Sequence, residues 1–133
     1  MLIGEVARRS GIPTHTIRFY EEEKLVSRPS RASSGYRVYS DRVLAELGFI
    51  KRAQQLGFTL EEIREILKLG RTGKAPCDRV VALCDTHLDK IDRQIAELMS
   101  FRRGLEDVQR QAQQGCGLTV EGFCKAIANS GAN

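Results

Sequence analysis

The chain has 133 residues, about the length of one domain, and its 41% hydrophobic and 29% charged residues are typical of a water-soluble globular protein. No apolar run approaches the roughly 18 to 20 residues that a membrane helix needs, and the first ten residues have no signal-peptide pattern. We therefore expect a cytoplasmic protein with no membrane partner. The 6% of aromatic residues, with no tryptophan, favours helix packing and surface shared between subunits over one thick core.

Basic residues exceed acidic ones only in the first part of the chain. Residues 1–76 hold 14 Lys or Arg against 9 Asp or Glu, whereas residues 77–133 hold 7 against 8. A basic excess favours a polyanion partner for the first part, although an excess of this size is also common on a solvated surface.

Two short helices joined by a tight turn are predicted first. Apolar residues recur at helical spacing between residues 2 and 7, and Ser10-Gly11 ends this helix. Pro13 is expected in the first turn of the second helix, near residues 14–23. We expect Ile17, Phe19 and Tyr20 to face partly inward, and the outer side to hold Thr14, His15 and Arg18. The pair predicts a helix-turn-helix.

A β-hairpin with a polar tip is predicted at residues 28–38, because alternating side chains follow a cluster of Ser and Gly. A hairpin in this place is the wing of a winged helix-turn-helix. Ser40-Asp41 is then expected to cap a helix that Gly57 ends. Thr59 and Glu62 have the spacing of a capping box for a fourth helix, and Gly70 to Pro76 is the predicted linker.

A long amphipathic helix is predicted at residues 77–112. Its apolar residues step by three and four, as in a coiled coil: Val81, Cys84, Leu88, Ile91, Ile95, Leu98, Phe101, Leu105, Val108 and Ala112. A narrow apolar stripe on so long a helix needs a partner helix, most economically that of a second copy in a homodimer. Gly115 and Gly117 end the helix, and residues 118–128 are expected to form a loop and a short amphipathic tail.

Four ordered motifs in the first 70 residues resemble the MerR family of bacterial transcriptional regulators. They are Ile3-Gly4-Glu5-Val6-Ala7, Thr16-Ile17-Arg18-Phe19-Tyr20-Glu21, Gly35-Tyr36-Arg37-Val38-Tyr39 and Leu56-Gly57-Phe58-Thr59-Leu60-Glu61-Glu62-Ile63. The resemblance implies a mainly α fold: a winged helix-turn-helix DNA-binding domain with connecting helices (1–76), a dimerisation helix (77–112) in an antiparallel coiled coil, and a C-terminal metal-binding loop and tail (113–133). It also implies an activator that binds a palindromic promoter as a homodimer and distorts the DNA for RNA polymerase when an effector binds.

The predicted DNA contacts lie on the second helix and the wing. A recognition helix lies in the major groove, and more than half of the hydrogen bonds from protein to DNA go to the backbone. Arg18 could therefore read guanine or grip phosphate, and Tyr20, Tyr36 and Tyr39 could bind phosphate or pack the hairpin against the helix. The predicted DNA-binding residues are Thr14, His15, Thr16, Arg18, Tyr20, Arg31, Ser34, Tyr36 and Arg37.

Three of the four cysteines are predicted metal ligands. Cys77 opens the long helix, where the positive end of the helix dipole stabilises a thiolate. Cys116 and Cys124 flank seven residues, a span that can bring both sulfurs to one ion. Because a continuous helix would place Cys77 more than ~50 Å from Cys116 of its own chain, the implied site joins Cys77 of one subunit to Cys116 and Cys124 of the other. Cys84 falls on the apolar stripe and is expected to pack there.

Thiolate ligands select soft ions. A cysteine at position 77 resembles the divalent branch of the family, which answers Hg(II), Pb(II), Cd(II) or Zn(II). Three sulfurs suit Hg(II) or Pb(II), whereas Zn(II) needs a fourth ligand, for which Glu121 or water is available. Two features depart from the family's metal sensors: the stretch between Cys77 and Cys116 is about one helical turn longer, and Lys125 follows Cys124 in place of proline.

Two other readings stay open at this point. The cysteines could be incidental in a regulator that answers a non-metal or a thiol/redox signal. An enzyme is the less favoured class, because the sequence contains no Cys-x-x-Cys, no nucleophile beside a base and no phosphate-binding loop.

Overall fold

The first two helices form the predicted helix-turn-helix. The computed structural model describes residues 1–131, in which α1 spans Ile3–Ser10 and α2 spans Thr14–Glu22. Gly11 ends α1 with φ of +72°, and its N–H donates to the Ala7 carbonyl oxygen. Pro13 is the N-cap residue of α2 and has an extended ψ. It therefore lies one residue before the first turn of the helix, in which it was predicted to lie. Its carbonyl oxygen accepts the first hydrogen bonds of the helix.

The wing is a two-stranded antiparallel sheet of β1 (Ser30–Arg31) and β2 (Arg37–Val38), as predicted. Ser30 pairs with Val38, and Arg31 with Arg37. Gly35 turns the chain at the tip with φ of +86°, a conformation that residues with a Cβ rarely adopt. Short strands with a tight turn hold the wing residues next to the recognition helix α2.

Helices α3 (Arg42–Gln55) and α4 (Leu60–Arg71) complete the predicted DNA-binding domain. The capping box of α4 is confirmed, because the Glu62 N–H donates to Thr59 Oγ1 while Glu62 Oε1 accepts from the Thr59 N–H. Of the predicted cap Ser40-Asp41, Asp41 does not cap α3, because it has helical backbone angles and its side chain makes no capping hydrogen bond. The linker is shorter than predicted, since α4 continues to Arg71.

One hydrophobic core lies within the unit Met1–Cys84. It combines one face of each of α1 to α4 with the segment after α2. Its members are Val6, Ile12, Ile17, Tyr20, Leu25, Val26, Tyr39, Val43, Leu47, Ile50, Ala53 and Ile63. The early part of α5 buries Leu83, which the sequence pattern did not select, whereas the predicted stripe residue Val81 is exposed.

Helix α5 spans Cys77–Gln113, 37 residues, and confirms the predicted long helix. In the unit Asp85–Asn133, of which residues 132 and 133 lie outside the described part, the apolar stripe is exposed to solvent. A loop follows Gly115, with a single antiparallel bridge between Leu118 and Cys124, and α6 spans Lys125–Ala128. Among residues 1–131 no helix is long and apolar enough to cross a membrane. The mainly α fold with a winged helix-turn-helix and a long helix is thus as predicted.

Candidate DNA interface and metal centre

The recognition helix α2 turns its apolar side to the core and its polar side to solvent. Ile17 is fully buried, while His15 and Arg18 are exposed and Thr14 and Thr16 are half-buried. These residues belong to the first turn and a half of α2, and the early residues of a recognition helix are the ones that lie nearest the bases. Phe19, which was predicted to face partly inward, is instead 44% exposed.

Tyr20 is the predicted DNA contact that the structure buries. Only 7% of it is exposed, and its hydroxyl donates to Gln54 Oε1 at 3.0 Å. This geometry favours the alternative in which the tyrosine packs the helix against its neighbours, here α3. A phosphate contact by Tyr20 stays an untested prediction.

The wing residues surround an open groove between the start of α1, α2 and the hairpin. Arg18, Arg31 and Arg37 line this groove together with Tyr36. Arg31 Nη1 donates to the Gly35 carbonyl oxygen at 2.9 Å, which holds its side chain against the wing tip. Tyr36 and the tip residue Ser34 are exposed, and their contact with the backbone of DNA stays a prediction. The surface therefore offers three guanidinium groups to a polyanion.

Glu21 positions the wing, a role that sequence reasoning missed. Its carboxylate accepts from Arg37 Nε at 3.2 Å and from the Tyr39 hydroxyl at 3.0 Å. Burial, together with the hydrogen bond to Glu21, raises the pKa of Tyr39 to about 12, so its hydroxyl stays a donor. Tyr39 is thus a packing residue that joins the hairpin to α2. Arg37 remains half-buried and paired on one edge of its guanidinium.

The C-terminal loop brings two of the predicted metal ligands together. The Sγ atoms of Cys116 and Cys124 lie 3.5 Å apart. Two thiolates on one tetrahedral zinc ion, with bonds of about 2.3 Å, would lie ~3.8 Å apart, so the pair fits a shared soft ion with little movement. Backbone hydrogen bonds between Thr119 and Phe123 and from Lys125 to Gly117 hold the loop closed.

The pKa of Cys124 is lowered from that of an ordinary thiol. The backbone N–H of Ile127 is the main cause, followed by the Cys116 side chain and the Ala126 N–H. These donors stabilise a thiolate, which is the form that binds metals. Cys124 is the residue at the N-cap position of α6, so the first N–H groups of this short helix lie close to its sulfur.

Cys77 and Cys84 lie on α5. Cys77 is the first residue of the helix and is exposed, whereas Cys84 is half-buried, in agreement with a packing role. Within the described residues, no group of three or more His, Cys, Asp or Glu side chains is placed to hold a metal ion. A three-sulfur site would therefore need a ligand from a second copy of the chain.

The sequence analysis also missed a buried charge. Glu46 is 5% exposed on α3 and pairs with Arg71 at 2.8 Å. The signal was present, because Glu46 interrupts the apolar face formed by Val43, Leu47 and Ile50. A carboxylate at a core position needs partners, since an isolated buried charge is costly.

Comparisons with known proteins settle which family this architecture belongs to. Residues 1–69 match the family described as MerR HTH family regulatory protein, and residues 44–108 match the family described as MerR, DNA binding. The chain belongs to the MerR family. A MerR-family chain is a DNA-binding transcription regulator rather than an enzyme, as the sequence analysis predicted.

Similar proteins are transcription regulators, and the names of two of those given below concern mercury and lead(II). The chain is 42% identical to the HTH-type transcriptional regulator HmrR of Rhizobium leguminosarum bv. viciae, with 80% of this chain and 81% of the relative covered. It is 37% identical to the mercuric resistance operon regulatory protein of Bacillus cereus, over 84% and 85% of the two chains. The crystal structure of PbrR691 from Ralstonia metallidurans CH34 in complex with lead(II) is similar, with a TM-score of 0.77, 32% identity, and coverage of 97% and 98%.

Proposed function

We propose that the protein is a homodimeric transcription activator that binds a palindromic promoter and responds to a soft divalent metal ion. The observation that carries the metal response is the pair of sulfur atoms of Cys116 and Cys124, 3.5 Å apart in a closed loop. The names of two relatives, which concern mercury and lead(II), support a soft ion. Hg(II), Pb(II), Cd(II) and Zn(II) all suit thiolate ligands.

DNA is bound by α2 and the wing. Thr14, His15, Thr16 and Arg18 enter the major groove, while Arg31, Ser34, Tyr36 and Arg37 contact the flanking phosphates. The exposed Arg18 and Arg31, which line one groove together with the half-buried Arg37, support this arrangement. Two copies of the chain place two recognition helices on the two half-sites of the palindrome.

The metal site forms between subunits. Helix α5 has 37 residues and is therefore ~55 Å long at 1.5 Å per residue. In an antiparallel pair of such helices, the first residue of one lies near the last residue of the other. Cys77 of one subunit then joins Cys116 and Cys124 of its partner, which gives two sites per dimer. Glu121 or water supplies a fourth ligand where the ion requires one.

Metal binding is transmitted to the promoter through α5. A change at the subunit junction shifts the long helices and so alters the spacing and twist of the two recognition helices. Bending and untwisting the DNA costs free energy, and contacts with the metal-bound dimer offset that cost. Promoter elements come into register for RNA polymerase.

A titration of the reduced protein tests the metal response. We expect tight binding of Hg(II), Pb(II), Cd(II) or Zn(II), two ions per dimer, with Cys77→Ser, Cys116→Ser and Cys124→Ser each losing it. Cys84→Ser is the matched control, because this cysteine lies on the same helix as Cys77 and is expected to pack. Loss of tight binding in Cys84→Ser with retention in Cys77→Ser would show that the ligand set is wrong.

Salt dependence of promoter binding tests the DNA interface. Arg18→Ala should weaken binding and reduce the slope of log K against log[salt] by about 1, if Arg18 grips a phosphate. Arg103→Ala, an exposed arginine on α5, removes the same charge and should leave the slope unchanged. Equal slopes and equal promoter affinities for the two variants would remove Arg18 from the interface.

A thiol/redox signal is the second candidate, favoured by the same sulfur pair. Oxidation of Cys116 and Cys124 by a peroxide would form one disulfide. Hydrogen peroxide would be reduced to two molecules of water, and an organic hydroperoxide to one alcohol and one water. Because the pKa of Cys124 is lowered, its thiolate is present from a lower pH than that of an ordinary cysteine. Alkylation of Cys124 should therefore show a midpoint at lower pH than alkylation of free cysteine. Promoter activation by peroxide in metal-free protein would favour this candidate over the metal.

A further inference from the structure

Two arginines of α4 hold the chain just after the recognition helix. Arg64 Nε donates to the Glu23 carbonyl oxygen at 2.8 Å, and its Nη2 donates to the Glu23 carboxylate at 2.7 Å. Arg71 Nη2 donates to the Leu25 carbonyl oxygen at 2.9 Å, and Arg71 Nη1 lies 3.4 Å from the Lys24 carbonyl oxygen. Positions 64 and 71 are about two turns apart on one face of the helix. The end of α2 is thus fixed to one side of α4.

Arg71 also reaches the buried carboxylate of α3. Its Nη2 lies 2.8 Å from Glu46 Oε2, and the same carboxylate accepts from the N–H and the hydroxyl of Ser27. Since an unpaired buried charge is strongly unfavourable, these groups are held together as a unit. One guanidinium therefore joins α3, α4 and the segment that follows the recognition helix.

The backbone held by these arginines has an unusual conformation. Lys24 has φ of +60°, and among the described residues it alone, apart from glycines, has a positive φ. A residue with a Cβ adopts this region at a cost and keeps it where the surroundings determine it. Contacts from Arg64 on one side of Lys24 and from Arg71 on the other supply such surroundings.

Helix α4 is also joined to the first turn of α5. Arg71 is the last residue of α4, and only residues 72–76 separate it from α5. Arg79, in the first turn of α5, donates from Nε to Glu65 Oε1 at 2.9 Å, and Glu65 is the neighbour of Arg64. Within the unit Met1–Cys84, α4 therefore contacts the first turn of α5 through Glu65 and the end of the recognition helix through the next residue, Arg64.

We propose that Arg64 and Arg71 are positioning residues that transmit displacement of the base of α5 to the recognition helix. In this proposal neither arginine contacts DNA or metal. Each determines how much of the displacement of α5 reaches the DNA. This inference rests on the proposed function, because the displacement is the one that metal binding produces at Cys77. It adds the residues through which the response passes.

The test uses the full-length dimer, Pb(II) or Hg(II) as the ion, and a tightly bound promoter fragment with fluorescent dyes at its two ends. The metal-dependent change in energy transfer between the dyes reports DNA distortion, and metal stoichiometry and melting temperature are measured on the same samples. Arg64→Gln and Arg71→Lys should keep the metal stoichiometry but reduce the metal-dependent change by roughly fivefold or more. Lys68→Gln, an exposed cation between them on α4, is the matched control and should respond like the unsubstituted protein.

Arg71→Lys separates positioning from stability. Lysine keeps a cation for Glu46 but lacks the planar fork that serves a carbonyl oxygen and a carboxylate at once. The melting temperature should therefore stay near that of the unsubstituted protein while the DNA response falls. Full DNA responses in both Arg64→Gln and Arg71→Lys would overturn the inference. An unsubstituted protein that binds no metal would instead overturn the proposed function, so the two failures are distinguishable.

Discussion

The two units of the chain contain similar amphipathic helices but bury them to different extents. In residues 1–84, Ile17, Leu25, Leu47, Ile50 and Ile63 are all fully shielded from solvent. In the described part of residues 85–133, Ala126 is the one buried hydrophobic residue, and the stripe of α5 is exposed at levels such as 64% for Leu98 and 69% for Leu105. The DNA-binding part completes its core within one chain, whereas nothing in the described part of the chain covers the stripe of α5. A contiguous apolar surface of this kind marks an interaction site.

The largest expected effect comes from a charge in the stripe of α5. Ile95→Glu removes ~2 kcal/mol of apolar burial from each chain of the dimer and places a charge in the seam. Because about 1.4 kcal/mol corresponds to a factor of ten, the dissociation constant of the dimer should rise roughly a thousandfold. Sedimentation at micromolar concentration should then show monomers.

Arg93→Gln is the control for this variant. It changes the charge by the same amount on the opposite face of the helix and should leave a dimer. If Ile95→Glu also sediments as a dimer, the stripe is not the subunit interface and the comparison between the units fails.

A core substitution should affect the first unit whatever the protein concentration. Leu47→Ala leaves a cavity at a fully buried position and should lower the free energy of unfolding by about 3 kcal/mol, as followed by urea denaturation. Leu88→Ala, on the 55% exposed stripe of α5, should act through the dimer, so that its effect grows on dilution. Similar concentration dependence for both variants would mean that the first unit has no core of its own.

Helix capping gives a smaller effect. Thr59→Ala removes one half of the capping box of α4 and should cost about 1 kcal/mol, whereas Thr59→Ser keeps the hydroxyl. Asp41→Ala should change stability by less than about 0.5 kcal/mol, because Asp41 makes no capping hydrogen bond. Thermal melts of the three variants compare the cap that forms with the cap that does not.

The smallest expected effect is a gain in stability. Lys24→Gly relieves the left-handed backbone after α2 but adds chain entropy to the unfolded state, for a net gain of about 0.5 kcal/mol. Glu22→Gly, within the last turn of α2, should instead cost about 1 kcal/mol. A loss of stability in Lys24→Gly would mean that the Lys24 side chain contributes more than its backbone conformation costs.

Local patterns in the sequence predict the helices and the wing well. The capping box at Thr59 and the stop at Gly11 depend on residues within one turn, so they can be read without the rest of the chain. The side of α2 that packs could not be read in this way. Phe19 and Tyr20 are adjacent and both aromatic, and contacts with distant residues, such as Gln54 on α3, place Tyr20 inside.

In the candidate site, too, local features could be predicted from the sequence, whereas contacts between distant segments could not. The separation of Cys116 and Cys124 in sequence predicted that their sulfurs could meet, and the loop brings them to 3.5 Å. Contacts that join distant segments were not predicted: Glu21 with Arg37, and Glu46 with Arg71. Such pairs form between elements that only the folded chain places side by side.

The central claim is a metal site shared between subunits, and mixed dimers test it most directly. Cys77→Ser and the double variant Cys116→Ser, Cys124→Ser are purified separately, and each is expected to lack tight binding of Pb(II) or Hg(II). After the two are unfolded together and refolded, a heterodimer has one junction with all three cysteines only if the ligands come from opposite chains. We predict that mixing restores one tightly bound ion per heterodimer; no restoration, with heterodimers confirmed by mass, would contradict the shared site.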